Sequence, residues 1–232
     1  MSKHWWKITG ALFVMYSIIE GFLGKVPALP ILHETIRNLY FHVTMWFAMI
    51  FVLGGSVVYS IRYLSTGSVY DDLRAEHMAS AGILLGLLGI TTGSVWARFT
   101  WGGWWANDPK LNGAAISLLI YLAYVILRSS MDEEQKRARV AAVYNIFAFV
   151  LLIVFLMVYP RLNQVDSLHP GNGGNPAFSS YDLDSNMRLV FYPAVAGWIM
   201  MGLWIANLSY RIAKLRYDKL MWQSENNLLI EE

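Results

Sequence analysis

Trp101-Gly-Gly-Trp-Trp-Ala-Asn-Asp-Pro109 packs three tryptophans into five residues and closes with an Asp-Pro pair. Apolar runs long enough to cross a membrane flank it on both sides, so the fold is organised around this loop. Indoles prefer the membrane–water interface, and one interpretation is an aromatic belt followed by a helix cap at Asp108 and Pro109. The other is a binding surface, because Gly102 and Gly103 lack a Cβ atom and would let a flat ligand lie against the backbone.

Composition indicates a polytopic membrane protein with a single domain, residues 1–232. Of the 232 residues, 56% are hydrophobic and only 15% are charged, whereas about a quarter are charged in soluble proteins. The net charge of +2 is spread between the apolar runs, which argues against nucleic-acid binding. The sequence has no cysteine, which excludes disulfides, thiolate ligands and a cysteine nucleophile. No small-residue cleavage site follows the first apolar run, so we expect a retained first helix.

Six apolar segments are long enough to cross a membrane as helices, which predicts an all-α fold. They are residues 8–23, 39–61, 78–96, 112–127, 140–159 and 189–210. The fourth segment is short and could begin at Pro109. Residues 211–232 are basic and amphipathic, and we predict that they continue the sixth helix as a cytoplasmic tail near the inner leaflet.

The distribution of Lys and Arg predicts the orientation of the chain. With six spans, both termini lie on one side of the membrane, and that side collects two thirds of the 18 Lys and Arg residues. The positive-inside rule assigns that side to the cytoplasm. The outer loops are then residues 24–38, 97–111 and 160–188, so the tryptophan-rich loop is predicted to be extracytoplasmic.

The tryptophan-rich loop resembles the WWD signature of heme-handling membrane proteins, and the chain length fits the heme exporter protein C (CcmC) family of cytochrome c maturation. That signature usually reads W-G-x-x-W-x-W-D. Asn107 replaces its last tryptophan and offers no indole for stacking. The resemblance extends into residues 92–96 and over most of the chain. The loop residues that match the signature or are typical of it are Trp101, Gly102, Trp104, Trp105 and Asp108.

Two of the five histidines stand out once the resemblance is considered. His42 lies at the outer end of the second span and His169 in the third outer loop, so the predicted topology brings both to the face that carries the tryptophan-rich loop. Alone, each is typical of an interfacial or loop histidine. The family has a histidine in its first and third outer regions, and these two match. The resemblance therefore implies that both are axial ligands of heme iron.

The resemblance also implies which loop residues contribute to the heme site: Trp101, Gly102, Trp104, Trp105, Asp108 and Pro109. Asp108 could cap the fourth helix, orient a histidine, or do both. Heme carries two propionates, and the sequence does not select among the outward cations that could pair with them. These cations are Arg37, Arg98, Lys110, Arg161 and Arg188. We expect His4, His33 and His77 at the surface or the membrane interface.

The function implied by the resemblance is non-covalent binding of b-type heme at the outer face of the cytoplasmic (inner) membrane and its delivery to the heme chaperone CcmE. The implied partners are the ATP-driven CcmA–CcmB complex and the small membrane protein CcmD. The chain has no P-loop signature, so ATP hydrolysis would belong to a partner and we expect no enzyme here. Two alternatives stay open: a cytochrome c heme lyase of the CcsA or CcmF type, and a b-type cytochrome of a quinone-linked enzyme. The absence of mid-span histidines argues against both.

Overall fold

The computed structural model describes residues 4–28, 32–162, 167, 169 and 183–230. Within these ranges the fold is all-α, as predicted, and six helices are long and apolar enough to cross a membrane. They are α1 (Trp5–Leu23), α2 (Leu39–Thr66), α3 (Val69–Trp101), α4 (Pro109–Ser129), α5 (Glu134–Ile153) and α6 (Ser185–Ile230). A 3₁₀ turn precedes α2, and a π-helical turn and a second 3₁₀ turn follow α5; these span Glu34–Asn38, Val154–Val158 and Tyr159–Arg161.

Five of the six helices are longer than the apolar segments from which they were predicted, and α5 is equal in length but begins six residues earlier. α3 begins at Val69, well before the predicted start at Met78, and runs to Trp101. Its connection to α4 is therefore residues 102–108, which is shorter than the outer loop of residues 97–111 predicted between the apolar segments. The start of α4 at Pro109 agrees with the earlier start considered for the fourth segment. The predicted segment was shorter than α3 because the side chains at both ends of α3 are polar. The helix continues through these ends because its backbone hydrogen bonds form whether the side chains are apolar or polar.

A buried ion cluster explains why α3 can begin at Val69, before its apolar segment. Arg128 of α4 donates hydrogen bonds to the two carboxylate oxygens of Asp72 at 2.8 and 2.5 Å, and to Glu76 at 2.9 Å. The side chains of Arg128 and Asp72 are only 8% and 5% exposed. Buried charges are tolerated where they are paired and hydrogen-bonded. The acidic first turns of α3 are thus part of the packed bundle and not of a loop.

Glycines on one face of α3 let α2 pack closely against it. At each of these glycines an added Cβ would overlap a bulky side chain of α2, so only a residue without a Cβ permits the observed approach. Small residues at helical spacing bring membrane helices together in this way. The pairs are Gly82 with Leu53, Gly86 with Met49, Gly89 with Trp46, and Gly93 with His42. The last pair fixes the register of α2 and α3 at the end of the bundle that carries residues 102–108, here called the loop end.

α6 is much longer than a membrane span. It runs without interruption from Ser185 to Ile230, 46 residues, which corresponds to about 70 Å at the rise of an α-helix. The hydrocarbon core of a bilayer is only about 30 Å thick. The predicted helical continuation beyond residue 210 is therefore confirmed up to Ile230. Its location near the inner leaflet stays a prediction.

Candidate functional site

A cavity of about 1020 Å³ at the loop end of the bundle is lined by both His42 and His169. The walls come from the start of α2, the last turns of α3, the first turns of α4 and the π-helical turn after α5. A second, smaller cavity of about 270 Å³ is also lined by both histidines. The two residues, distant in sequence, thus face shared space.

His42 lies in the first turn of α2, and packing fixes its ring. Its Nδ1 is 2.8 Å from the carbonyl oxygen of Gly89. A carbonyl oxygen only accepts hydrogen bonds, so Nδ1 carries the proton and Nε2 of the neutral ring keeps its lone pair. Gly93 lies against the ring, and its hypothetical Cβ would be 2.9 Å from Nδ1. Trp46 and Trp96 approach the ring edge-on, with centroid distances of 6.3 and 5.8 Å.

His169 is held in a comparable way by side chains. Its Nδ1 is 3.0 Å from Oδ1 of Asp108, and its backbone N–H donates to Oγ of Ser167 at 3.2 Å. The ring packs edge-on against Trp101 at a centroid distance of 5.2 Å. An ionised carboxylate only accepts, so Nδ1 of His169 also carries the proton and Nε2 is left as the basic atom. Within the described residues, Nε2 of neither histidine has a hydrogen-bond partner.

Asp108 performs both of the roles considered from the sequence. Its Oδ1 accepts hydrogen bonds from the backbone N–H groups of Lys110 and Leu111 at 2.8 and 3.3 Å, which caps α4 with Pro109 as the first helical residue. The same carboxylate accepts from His169 and, through Oδ2, from Ser167 at 2.8 Å. The side chain is fully buried. One carboxylate therefore connects the start of α4 to the segment that carries His169.

The tryptophans of the loop differ in their surroundings. Trp105 lines the larger cavity and Trp101 the smaller one. Trp104 is 60% exposed and lines neither of these two cavities. Gly102 adopts a φ of 79°, in the left-handed region, and ends α3, so its role in the structure is conformational. Asn107, at the position of the usual tryptophan, accepts a hydrogen bond from Asn112 of α4 at 2.8 Å.

The prediction of the site missed three residues that contact His42: Gly89, Gly93 and Trp46. Trp46 carries an available signal, since it follows His42 by four residues and therefore shares its helix face. Trp96, noted only as part of the resemblance, lines the cavity and donates from its indole to the hydroxyl of Thr35 at 3.0 Å. The glycines could not be identified without the register of α2 against α3.

Two of the five cations that could pair with the propionates lie at the cavity. Lys110 and Arg161 line it, whereas the other three candidates bind backbone carbonyl groups elsewhere. Arg161 is brought to the cavity by the π-helical turn and donates to the carbonyl of Met157 at 2.7 Å. π-Helical turns often mark functional sites. The carbonyl contacts are Arg37 to Gly24, Arg98 to Gly102, and Arg188 to Leu183.

The remaining described histidines lie away from this cavity. His4 and His33 are exposed, and His77 is partly buried in α3, near Asp72 and Glu76. His33 has a φ of 44°, the one positive value among the described residues other than glycine. The exposure of His4 and His33 agrees with the surface location expected from the sequence.

Comparison with known proteins gives matches over most of the chain. A model of the heme exporter protein C family matches residues 1–223. The chain is 30% identical over 118 residues to "Heme exporter protein C" of Bradyrhizobium diazoefficiens, covering 51% of this chain and 45% of that protein. It is 22% identical over 185 residues to the protein of the same name in Haemophilus influenzae, covering 80% and 74%.

A second group of relatives shares a shorter segment. The chain is 42% identical over 77 residues to "Cytochrome c biogenesis protein CcsA" of Prochlorococcus marinus, covering 33% of this chain and 24% of that protein. The chain thus spans between 24% and 45% of the length of several curated relatives that it matches. The segment that this chain shares with the CcsA protein covers only a part of that protein.

Proposed function

The chain belongs to the heme exporter protein C family, and from this premise we propose that it binds heme at the loop end of the bundle and passes it to an acceptor in cytochrome c biogenesis. The multi-pass helical fold supports a membrane location. Heme is the cargo of this process. The heme would be non-covalent and b-type, and the loop end would face outward from the cytoplasmic membrane, with both termini inside.

The observation that carries this proposal is the arrangement of the two imidazoles. His42 and His169 line the same cavity, and each has its Nδ1 bound to an acceptor oxygen, which leaves Nε2 as the basic atom. Two imidazole nitrogens are a common axial pair for heme iron. Trp105, together with Trp46 and Trp96, provides flat apolar surface, which suits a porphyrin. Lys110 and Arg161 are suited to pair with the propionates.

Delivery requires that the bound heme can be released. His42 is fixed by a helix and by the backbone carbonyl of Gly89, whereas His169 is held by hydrogen bonds to Asp108 and Ser167 outside the described helices. The sequence around His169 is rich in Gly, Asn and Pro. We therefore assign His42 as the permanent ligand and His169 as the ligand that dissociates during transfer.

The family assignment supports a proposal for the acceptor and the partners. We propose the heme chaperone CcmE as acceptor and the CcmA–CcmB complex and CcmD as partners. Because the sequence has no P-loop signature, ATP hydrolysis would take place in a partner. The protein would thus act as a transport component and not as an enzyme.

A cytochrome c heme lyase is the second candidate function, because a segment of the chain is 42% identical to the protein named "Cytochrome c biogenesis protein CcsA". A lyase would attach heme covalently to an apocytochrome, whereas a delivery component would release it unchanged. Among the described histidines, His42 and His77 lie near helix ends, which favours delivery over a lyase or a quinone-linked cytochrome that holds heme at mid-membrane.

Heme transfer tests the proposal directly. Protein purified in detergent and loaded with heme should lose its heme absorbance when apo-CcmE is added, and the chaperone should gain it. An apocytochrome c added alone should not acquire covalent heme. Failure of the purified protein to bind heme would contradict the proposal, and covalent attachment to the apocytochrome would favour the lyase.

A further inference from the structure

A large cavity at the end of the bundle opposite the loop end has a different chemical character. It has a volume of about 1060 Å³ and lies between α1, α2, α3 and α6. Tyr59, in its wall, follows His42 by 17 residues on α2, which separates the two sites by about 25 Å along the helix axis. The cavity is therefore distinct from the candidate heme site, and the assignment below does not depend on the proposed function.

Arg74 is the central charge of this cavity. Its guanidinium carbon is 4.8 Å from the ring centroid of Tyr210 and 5.3 Å from that of Tyr59, and its Nη1 donates to the hydroxyl of Tyr59 at 3.3 Å. Within the described part of the chain, Arg74 has no carboxylate partner. Neighbouring arginines do: Arg62 pairs with Asp71 at 3.5 Å, and Arg128 pairs with Asp72.

The rest of the lining combines a second cation with an apolar wall. Arg211 of α6 lines the cavity and is exposed. Met78, Leu203 and Ala206 provide apolar surface beside the two guanidinium groups. An anion that also carries hydrocarbon matches both parts of this lining. Basic pockets between membrane helices bind the head groups of acidic lipids in this manner.

We propose that this cavity binds an anionic phospholipid, with its phosphate at Arg74 and Arg211 and the start of an acyl chain against Met78, Leu203 and Ala206. Arginine forms paired hydrogen bonds to phosphate oxygens, and the aromatic rings of Tyr59 and Tyr210 hold the guanidinium of Arg74 in place. A soluble anion would use only the cationic part of the site.

Native mass spectrometry of the protein purified in detergent tests this assignment. The probes are phosphatidylglycerol, zwitterionic phosphatidylcholine with the same acyl chains, and inorganic phosphate. We expect wild type to retain phosphatidylglycerol in preference to phosphatidylcholine, and equal concentrations of inorganic phosphate not to displace it. Arg74→Gln and Arg211→Gln should each weaken phosphatidylglycerol binding about fivefold.

Matched control variants separate this site from general surface charge. Arg62→Gln removes a charge near Tyr59 that is already paired with Asp71, and Arg216→Gln removes an exposed charge of α6 outside the cavity lining. Both should bind as wild type does. If Arg74→Gln does not accumulate, the exposed Arg211 provides the variant. The gel-filtration profile of each purified protein reports on folding, and its heme spectrum reports on the separate heme site.

Equal binding of the two lipids would overturn the proposal, as would equal losses in the cavity variants and their controls. Displacement of phosphatidylglycerol by inorganic phosphate at equal concentration would reassign the cavity to a soluble anion. We expect all four variants to bind heme as wild type does. A protein that binds heme but shows no preference for phosphatidylglycerol would contradict only the lipid assignment, so the two proposals can fail separately.

Discussion

The contact between Gly93 and His42 gives a sharp test at the scale of single residues. A methyl group at position 93 would overlap the imidazole of His42 and displace it from Gly89. We expect Gly93→Ala to weaken heme retention about tenfold, or by about 1.4 kcal/mol, which lies within the usual overpacking cost of about 1–3 kcal/mol. Heme content after gel filtration of the detergent-solubilised protein measures this loss.

Gly54→Ala is the matched control for this substitution. Gly54 lies in α2, and a Cβ there would be 3.5 Å from Cζ of Phe149, which is an ordinary contact. This variant should retain heme as wild type does. Equal heme contents in the two glycine variants would contradict the packing of His42 against Gly93.

Some residues of the candidate site could be named from the sequence, whereas their contacts could not. His42, His169 and Asp108 could be singled out because the family resemblance and the predicted topology together assign them to the face that carries the tryptophan-rich loop. The hydrogen bond from His42 to Gly89 could not be predicted, because it depends on the register of α2 against α3. Likewise, the sequence offered five cations for the propionates, and only the π-helical turn brings Arg161 to the cavity.

At the scale of structural elements, two tryptophans of the loop between α3 and α4 are expected to differ in role, one stacking on heme and the other anchoring the loop at the membrane interface. Trp105 lines the cavity, whereas Trp104 is 60% exposed. We expect Trp105→Ala to reduce heme affinity by about 0.5–1.5 kcal/mol, the range for an aromatic contact beyond its burial. Trp104→Ala should have a smaller effect. Heme titration by absorbance measures both. Loss of folded protein without a heme-specific effect would instead support the aromatic-belt interpretation.

The ion cluster between α3 and α4 is a second test at this scale. Asp72→Ala would leave Arg128 buried without its main partner, and we expect the free energy of unfolding to fall by about 3–5 kcal/mol. Arg62→Ala breaks a pair in which Arg62 is 57% exposed, so we expect a loss of about 1 kcal/mol or less. Thermal unfolding in detergent compares the two variants, and similar effects would contradict the structural importance of the cluster.

The same cluster shows why helix ends were harder to predict than helices. Six apolar segments were sufficient to predict six membrane-spanning helices, since apolar length is the main requirement for a span. Their ends depend on tertiary partners that a hydropathy pattern does not contain. α3 extends back to Val69 because Arg128 neutralises Asp72, and α4 begins at Pro109 because Asp108 caps it. Of these, only the cap has a local signature in the sequence.

At the scale of the whole molecule, the orientation in the membrane and the single-domain organisation stay predictions. The unequal distribution of Lys and Arg predicts that a reporter fused after Arg137 is cytoplasmic and that one inserted within residues 172–175 is external. Reporters active on only one side of the membrane measure this. The opposite pattern would invert the topology and turn the candidate heme site toward the cytoplasm.

The most direct test of a single heme between His42 and His169 is the optical spectrum of the two alanine variants. We predict six-coordinate, low-spin heme in wild type. His169→Ala should retain five-coordinate heme through His42, whereas His42→Ala should lose most of its heme. Added imidazole should restore a six-coordinate spectrum to His169→Ala. An unchanged six-coordinate spectrum in both variants would show that neither histidine is a ligand and would contradict the site.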